Sequence, residues 1–546
     1  MPRRLKLAQT ASTRMARIAC LAAAVLLGLP AAAQADASLE SMFQDDNMLI
    51  YNTPEGTAST MDTLQLLGVD RIRVSVFWKI VAPDDESPTK PNFDASDPGA
   101  YPSGRWDRYD QIVRLARDRN IAVNFNITSP APNWATGNAP RPDIDKTFDP
   151  DAKEFGLFVQ ALGKRYSGSY ASAGGVGGLI PRVRYWSIWN EPNQPGWLTP
   201  QWAADPRSPK VMIETAPMIY RNLVDAAWTA LNATGHANDT ILIGETAPKG
   251  QKTARGTTRA IAALRFVRQL YCLDENLQLY KGTSAELRGC PVGPKALQDF
   301  PAQHPALFKA TGYAHHPYEL IFSPRTRPNF KDYVTIANLD VLTSLLRRVH
   351  QRYRQPIRRG AKNVPLYLTE FGYQTNPPDP LAVSPARQAA WNNESEYRAW
   401  TNRNVRTLSQ FLLVDDNPVP GIDRKNPAAW ATFQTGLLNL NGSKKPSFGA
   451  YALAIHLPRR KASATGRLKV WGTPRVAPDR IVQRVTVQVQ RKKGARFRKV
   501  ATLKTRRGYV NGSVKVGRSG GRVRLTWKSP AGKRWTSRAV AFSRSK

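Results

Sequence analysis

The chain has 546 residues, and 79 Lys and Arg against 41 Asp and Glu give it a formal net charge of +38. With 41% apolar residues it has enough to bury a sizeable core, which excludes disorder throughout. Three cysteines exclude a disulfide-dense scaffold and a multi-cysteine zinc module, and no apolar run reaches the ~18 residues of a membrane-spanning helix.

Residues 1–35 read as an export signal. Arg3, Arg4, Lys6, Arg14 and Arg17 form a basic segment without an acid, Ile18 to Leu29 is a short apolar run, and Ala33-Gln34-Ala35 offers a cleavage site. Ala35-Asp36-Ala37 is a second such site, an uncleaved anchor is the alternative, and Arg3-Arg4 leaves twin-arginine export open. The expected mature protein starts near Asp36, is secreted or held at the cell wall, and has no membrane span. Cleavage removes Cys20 and leaves Cys272 and Cys290, which an oxidising compartment would pair; two free thiols are the alternative.

From residue 36 to 456, strand and helix patterns alternate. A first strand is expected around Leu39–Phe43, followed by Arg71–Phe77, Ile121–Ile127, Val183–Trp189, Thr240–Gly244, Thr311–Ala314, Leu366–Thr369 and Ser409–Val414. Helices are expected over Tyr109–Arg119, Glu154–Tyr166, Val211–Asn232, Thr258–Tyr271, Val334–Tyr353, Pro385–Val405 and Phe448–His456. About eight strands separated by helices suit an α/β class, a closed (β/α)8 TIM barrel. An open doubly wound sheet competes, but no glycine-rich dinucleotide fingerprint follows a strand.

Residues 457–546 hold 27 Lys and Arg and one acid, Asp479, so most of the charge sits in this tail. Arg484–Gln490 and Arg522–Lys528 alternate polar and apolar with period two, and Lys499–Leu503 and Val510–Val516 are similar. A small all-β, sandwich-like domain with basic faces is expected. Such faces suit an anionic wall polymer or surface, or simply solubility and edge protection. Nucleic acid is disfavoured for an exported chain without an RNA-reading aromatic signature. Deleting the tail is expected to leave the barrel active. Gly517-Arg518-Ser519-Gly520-Gly521 matches a nucleophile-elbow pattern in letters only, since it lies in a turn between strands.

Two barrel strands run into a glutamate. Tyr185-Trp186-Ser187-Ile188-Trp189 leads to Asn190-Glu191-Pro192, and Leu366-Tyr367-Leu368-Thr369 leads to Glu370-Phe371-Gly372. Either acid could be a structural carboxylate tying down a loop. Two at the catalytic end of one barrel are the minimum equipment for glycosidic bond cleavage, one delivering a proton and one ionised. Sugars also need flat aromatic faces, and Trp78, Trp134, Trp189, Trp197, Tyr318, Tyr373 and Trp430 lie at or beyond strand ends.

These residues resemble clan A glycoside hydrolases, the retaining (β/α)8 enzymes that include families 5 and 39, over about 420 residues in motif order. The resemblance implies Glu191 as acid/base and Asn190 on the sugar 2-hydroxyl, in the Asn-Glu-Pro motif. It implies Glu370 as nucleophile, Arg73 steadying it, and His316 with Tyr318 as the strand-six pair. Trp78, Trp134 and Trp430 are expected to contact substrate. Strand eight, Gln410 to Asp416, departs from many relatives in lacking a tryptophan, for which Trp430 is the candidate substitute. The implied activity is a retaining O-glycosidase acting on a poly- or oligosaccharide with no metal or cofactor. A non-catalytic carbohydrate-binding protein on a silent barrel is the competing reading.

Overall fold

The structure is a computed structural model that describes residues 39–546, apart from 172–177, 252, 255, 478–480, 518, 545 and 546. The export signal and Asp479 therefore lie outside the described residues. Among the described residues, no helix is long and apolar enough to cross a membrane.

Eight parallel strands close into a barrel in sequence order: β1 (Glu40–Gln44), β2 (Arg71–Phe77), β3 (Ala122–Thr128), β4 (Tyr185–Ile188), β5 (Thr240–Thr246), β6 (Gly312–His315), β7 (Leu366–Leu368) and β8 (Val405–Phe411). β8 pairs with β1 to complete the ring. Each strand is followed by a helix: α1 (Pro54–Leu67), α2 (Asp107–Asp118), α3 (Ala152–Arg165), α4 (Ala216–Ala233), α5 (Ala263–Leu270), α6 (Leu339–Arg352), α7 (Pro385–Thr401) and α8 (Pro446–Ala452). In β2, polar and apolar residues alternate: Ile72, Val74 and Val76 are buried outward under the helices while Arg71, Arg73 and Ser75 are buried inward.

Local signals set the helix ends. In α1, Thr53 caps the N–H of Gly56, Pro54 occupies the first turn, and Gly68 ends the helix at φ +73. A Cβ on Gly68 would also lie 2.5 Å from the Arg475 carbonyl oxygen, so this turn admits only glycine. Asp151 and Ser384 cap α3 and α7 in the same manner as Thr53.

Beyond the barrel, β9 (Leu453–His456), β10 (Arg467–Pro474) and β13 (Val510–Lys515) form one antiparallel sheet. β11 (Arg484–Gln490), β12 (Arg498–Lys504), β14 (Gly521–Lys528), β15 (Arg534–Thr536) and β16 (Val540–Phe542) form the second. Inward residues such as Val470, Val487 and Leu525 join one continuous apolar core with the barrel. Cys272 and Cys290 form a disulfide.

Several expected elements shift. α1 escaped the sequence reading. Val211–Glu214 belongs to a hairpin, Trp202–Asp205 with Ser208–Glu214, ahead of α4. The last strand of the barrel starts at Val405, inside the expected helix, because α7 stops at Thr401. Leu453–His456 is strand, pairing with β10, where a helix was expected.

Candidate active site

β4 and β7 each lead into a glutamate that lines the barrel mouth, and β5 carries a third, Glu245, buried out of the cleft. After β4 the chain turns sharply, with Trp189 at φ +66 and Glu191 at φ +36, and the Glu191 N–H donates to the Glu245 carbonyl at 2.9 Å. Glu245 itself sits at φ +45. Such backbone costs about 1–3 kcal/mol per residue and persists where surrounding bonds enforce it, typically at working sites.

Arg73 projects inward from β2 and organises the centre. Its Nη1 donates to Glu370 Oε1 at 2.7 Å, and its Nη2 to Asn190 Oδ1 at 2.7 Å and Glu245 Oε2 at 3.0 Å. Gln44 accepts a further bond from Nη1. Arg71, two residues earlier, pairs instead with Glu40 and lies over the Tyr185 ring. Burial works against the Arg73 charge, but Glu245 and Glu370 outweigh it and raise its pKa.

His316 and Tyr318 follow β6. Tyr318 donates to Glu370 Oε2 at 3.1 Å, and burial keeps its phenol protonated well past the usual range. His316 lies between carboxylates, with Nδ1 2.8 Å from Glu191 Oε1 and Nε2 2.9 Å from Glu245 Oε2. Burial pushes its pKa down, but Glu370, Glu191 and Glu245 together raise it to about 9. Its neighbour His315 turns away to Thr246 and the Val334 carbonyl, and burial lowers it to about 3. Burial raises Glu370 above the ordinary glutamate value, while His316 and Arg73 pull it back.

These groups open onto a cleft of about 400 Å³. Asn190, Glu191, Tyr318 and Glu370 line it, together with Trp197, Phe411 and Phe433. Arg73 and His316 lie just beneath, fully buried. The three tryptophans expected to contact substrate do not reach it. Trp78 is fully buried, stacked on Phe158 at 5.7 Å and packed edge-on to Trp134. Trp134 donates its indole N–H to the Pro83 carbonyl, and Trp430 donates to that of Arg424. Phe411, at the end of β8, packs edge-on to Phe433 at 5.2 Å.

One oxygen each of Glu191 and Glu370 and a ring nitrogen of His316 lie within 4.8 Å of one another. Three strands thus assemble a ligand-type group that sequence spacing concealed. Both nitrogens of His316 lie at hydrogen-bond distance from carboxylates, 2.8 Å from Glu191 and 2.9 Å from Glu245.

Sequence reasoning missed Glu245, although it follows an apolar strand as Glu191 and Glu370 do. It missed Asp46 and Asp416, which line the same cleft as Glu191 and Glu370. Asp46 accepts from the Ser75 N–H at 3.2 Å, and Asp416 accepts from Asn47 Nδ2 at 2.8 Å. Burial raises the pKa of both.

No protein-family model matches the chain, and a comparison with curated proteins finds no match. Among solved structures it is similar to Bacteroides uniformis β-glucuronidase 2, at 10% identity and TM-score 0.40, covering 93% of this chain and 45% of that one. It is similar to an exo-β-1,4-mannosidase from an Opitutaceae bacterium, at 13% identity and TM-score 0.41, covering 76% of this chain and 58% of that one. A family 1 β-glucosidase from Thermotoga maritima aligns at 15% identity and TM-score 0.40, covering 72% and 84% respectively. The chain thus spans about half the length of the first two.

Proposed function

We propose that this chain is a secreted retaining O-glycosidase of the clan A type, acting on a poly- or oligosaccharide by double displacement. The observation that carries this reading is the Glu370 carboxylate, held by Arg73 and Tyr318, with one oxygen within 4.8 Å of a Glu191 oxygen. Retaining pairs stand about 5–5.5 Å apart, whereas inverting pairs leave about 6.5–9.5 Å for a water.

In the first step a Glu370 oxygen bonds to the anomeric carbon as the glycosidic bond breaks, and Glu191 gives its proton to the leaving oxygen. In the second, water attacks the anomeric carbon, Glu191 takes the water proton, and the electron pair of the ester bond returns to Glu370. Arg73 and Tyr318 orient the nucleophile, each bonding one of its oxygens. Trp197 and Phe433 offer apolar faces to sugar rings, while Asp46 and Asp416 offer acceptors to hydroxyls.

The C-terminal sheet, on this reading, holds the enzyme to an anionic polymer of the cell envelope. Arg484, Lys499, Lys504, Arg522, Arg524 and Lys528 share its outer face, and Arg484 pairs directly with Lys504 across two strands. Like charges in register destabilise a sheet unless something neutralises them. The disulfide fits an oxidising compartment.

Reducing-end release by the protein on a polysaccharide panel, beside Glu370→Gln, tests the reaction, with proton NMR of the first-formed anomer testing retention. Activity that survives Glu370→Gln, or an inverted first product, would overturn it.

A further inference from the structure

Glu245 is fully buried at the end of β5, does not line the cleft, and has no part in the two steps just described. Its Oε2 nonetheless accepts three hydrogen bonds: from Arg73 Nη2 at 3.0 Å, His316 Nε2 at 2.9 Å and Thr369 Oγ1 at 2.7 Å. The other ring nitrogen of His316 meets Glu191. A chain that buries a third carboxylate against the two others needs a return on a cost of several kcal/mol.

We propose that Glu245 is a positioning residue of this reaction: it holds His316 doubly protonated with Nδ1 turned to Glu191, which keeps Glu191 a carboxylate when water attacks. The proposal rests on the reading of Glu191 as acid/base and Glu370 as nucleophile.

An ionised carboxylate only accepts hydrogen bonds, so once Glu191 has given its proton to the leaving group, the ring between it and Glu245 carries a proton on each nitrogen. The charged groups facing that ring come from every neighbouring strand end. Glu191 follows β4, Glu245 ends β5, and Glu370, after β7, has Oε2 at 3.6 Å from Nδ1. Arg73 reaches the same cluster from β2 through Glu245 and Glu370, while on the ring's own segment Tyr318 is neutral and His315 turns away. Before reaction, two cations face three glutamates. Once Glu370 is esterified to the sugar its charge is gone, and the same two cations face only Glu191 and Glu245. The balance then favours ionised Glu191, the form that accepts the proton of water as the ester bond breaks. Burial raises the Glu245 pKa, but Arg73 and His316 prevail and hold it at about 2, so its charge persists throughout.

Glu245→Gln tests this in the full chain, because an amide oxygen in the Oε2 place can accept the same three bonds once the charge is gone. Nitrogen-15 NMR of the His316 ring, assigned by its loss in His316→Asn, is expected to show two N–H groups near neutral pH in the unaltered protein. In Glu245→Gln its titration should fall by about one pH unit or more. With a dinitrophenyl glycoside, whose departure needs no proton, breakdown of the glycosyl-enzyme sets kcat. There kcat should fall about tenfold or more and KM should fall with it, with kcat/KM retained.

A neutral His316 in the unaltered protein overturns the proposal even if Glu245→Gln does not fold. An unshifted titration in the variant does so too, as does a loss confined to kcat/KM. Turnover that survives Glu370→Gln would instead sink the glycosidase reading, and the His316 titration would still decide whether Glu245 sets that charge.

Discussion

Arg73 Nη1 lies 2.7 Å from Glu370 Oε1, and the other terminal nitrogen of the same guanidinium lies 3.0 Å from Glu245 Oε2. One buried cation therefore serves two buried carboxylates from separate strands. Arginine suits this role because its planar fork offers several donors in fixed directions, whereas lysine presents a single point charge.

Replacing that cation should be costly in a way its strand neighbour is not. Arg73→Met leaves Glu245 and Glu370 buried without their main partner, and should lose about 3–5 kcal/mol in denaturant unfolding together with turnover. Arg71→Met breaks the contacts to Glu40 and Tyr185, outside the cleft, and should lower stability while the folded fraction keeps its kcat. Equal effects on kcat would contradict the assignment of roles along β2.

The same cluster sets how stability depends on pH. His316 is raised to about 9, so its contribution is complete below the unfolded value of about 6.5 and is lost as pH rises through 9. Glu245 is lowered to about 2, so its contribution is complete above about 4.3 and is lost as pH falls through 2. His315, lowered to about 3, adds a loss of stability as pH falls below about 6.5, so calorimetric Tm should be highest near pH 6.5 and decline on both sides. A Tm that climbs between neutral pH and 9 would be incompatible with a buried imidazolium.

How much of this was legible follows from what each residue needs locally. Glu191 and Glu370 stand out because Pro192 and Gly372 punctuate apolar strands directly around them. Glu245 was lost because Gly244 reads as a strand end, whereas the strand continues through it to Thr246 at φ +103 for Gly244. Trp78, Trp134 and Trp430 show that standing beyond a strand end does not fix which way a ring turns; their directions depend on packing against Phe158, Pro83 and Arg424, distant or adjacent in sequence but unmarked in it. The period-two tail strands were read almost to the residue, since one face is buried and the other is wet.

On the glycosidase reading, the cleft should favour an uncharged glycone. Asp46 and Asp416 face the space beside Glu191 and Glu370, and Lys249 at its rim is 3.3 Å from Glu319. A sugar carboxylate would meet acids, whereas hydroxyls would find acceptors. Nitrophenyl hexosides should therefore show kcat/KM at least about tenfold above the matching uronides, the scale of one like-charge contact of about 1.4 kcal/mol. A preference for the uronide would overturn this reading of the two aspartates.

The barrel should not survive loss of residues 457–546, contrary to the expectation from charge segregation alone. Arg475 forms a buried ion pair with Glu396 of α7 at 2.7 Å and lies over the Tyr451 ring. Tyr509 donates to the Leu39 carbonyl at 3.0 Å, and Trp471 packs against Tyr397 and Trp400. Truncation would bare these aromatics and strand Glu396. Arg475→Ala alone should cost about 3–5 kcal/mol by leaving that carboxylate buried and unpaired. A truncated chain that melts at the temperature of the whole protein would refute the coupling.

Adhesion is therefore better tested on the sheet surface than by deletion. Arg484, Lys504 and Arg522 are exposed on the outer face, opposite the buried row of Val485, Val487 and Val489. Reversing all three to glutamate changes the face without touching the apolar core, so the stability should stay within about 1–2 kcal/mol of the original. Binding to a sedimentable polyanion such as polygalacturonate should weaken by about tenfold or more in the variant, and in the unaltered protein it should fade as salt shortens the screening length from ~10 Å at 0.1 M to ~3 Å at 1 M. Retention that ignores both the reversal and the salt would mean that the charge serves solubility, since an attraction carried by exposed arginines and lysines has no other way to act.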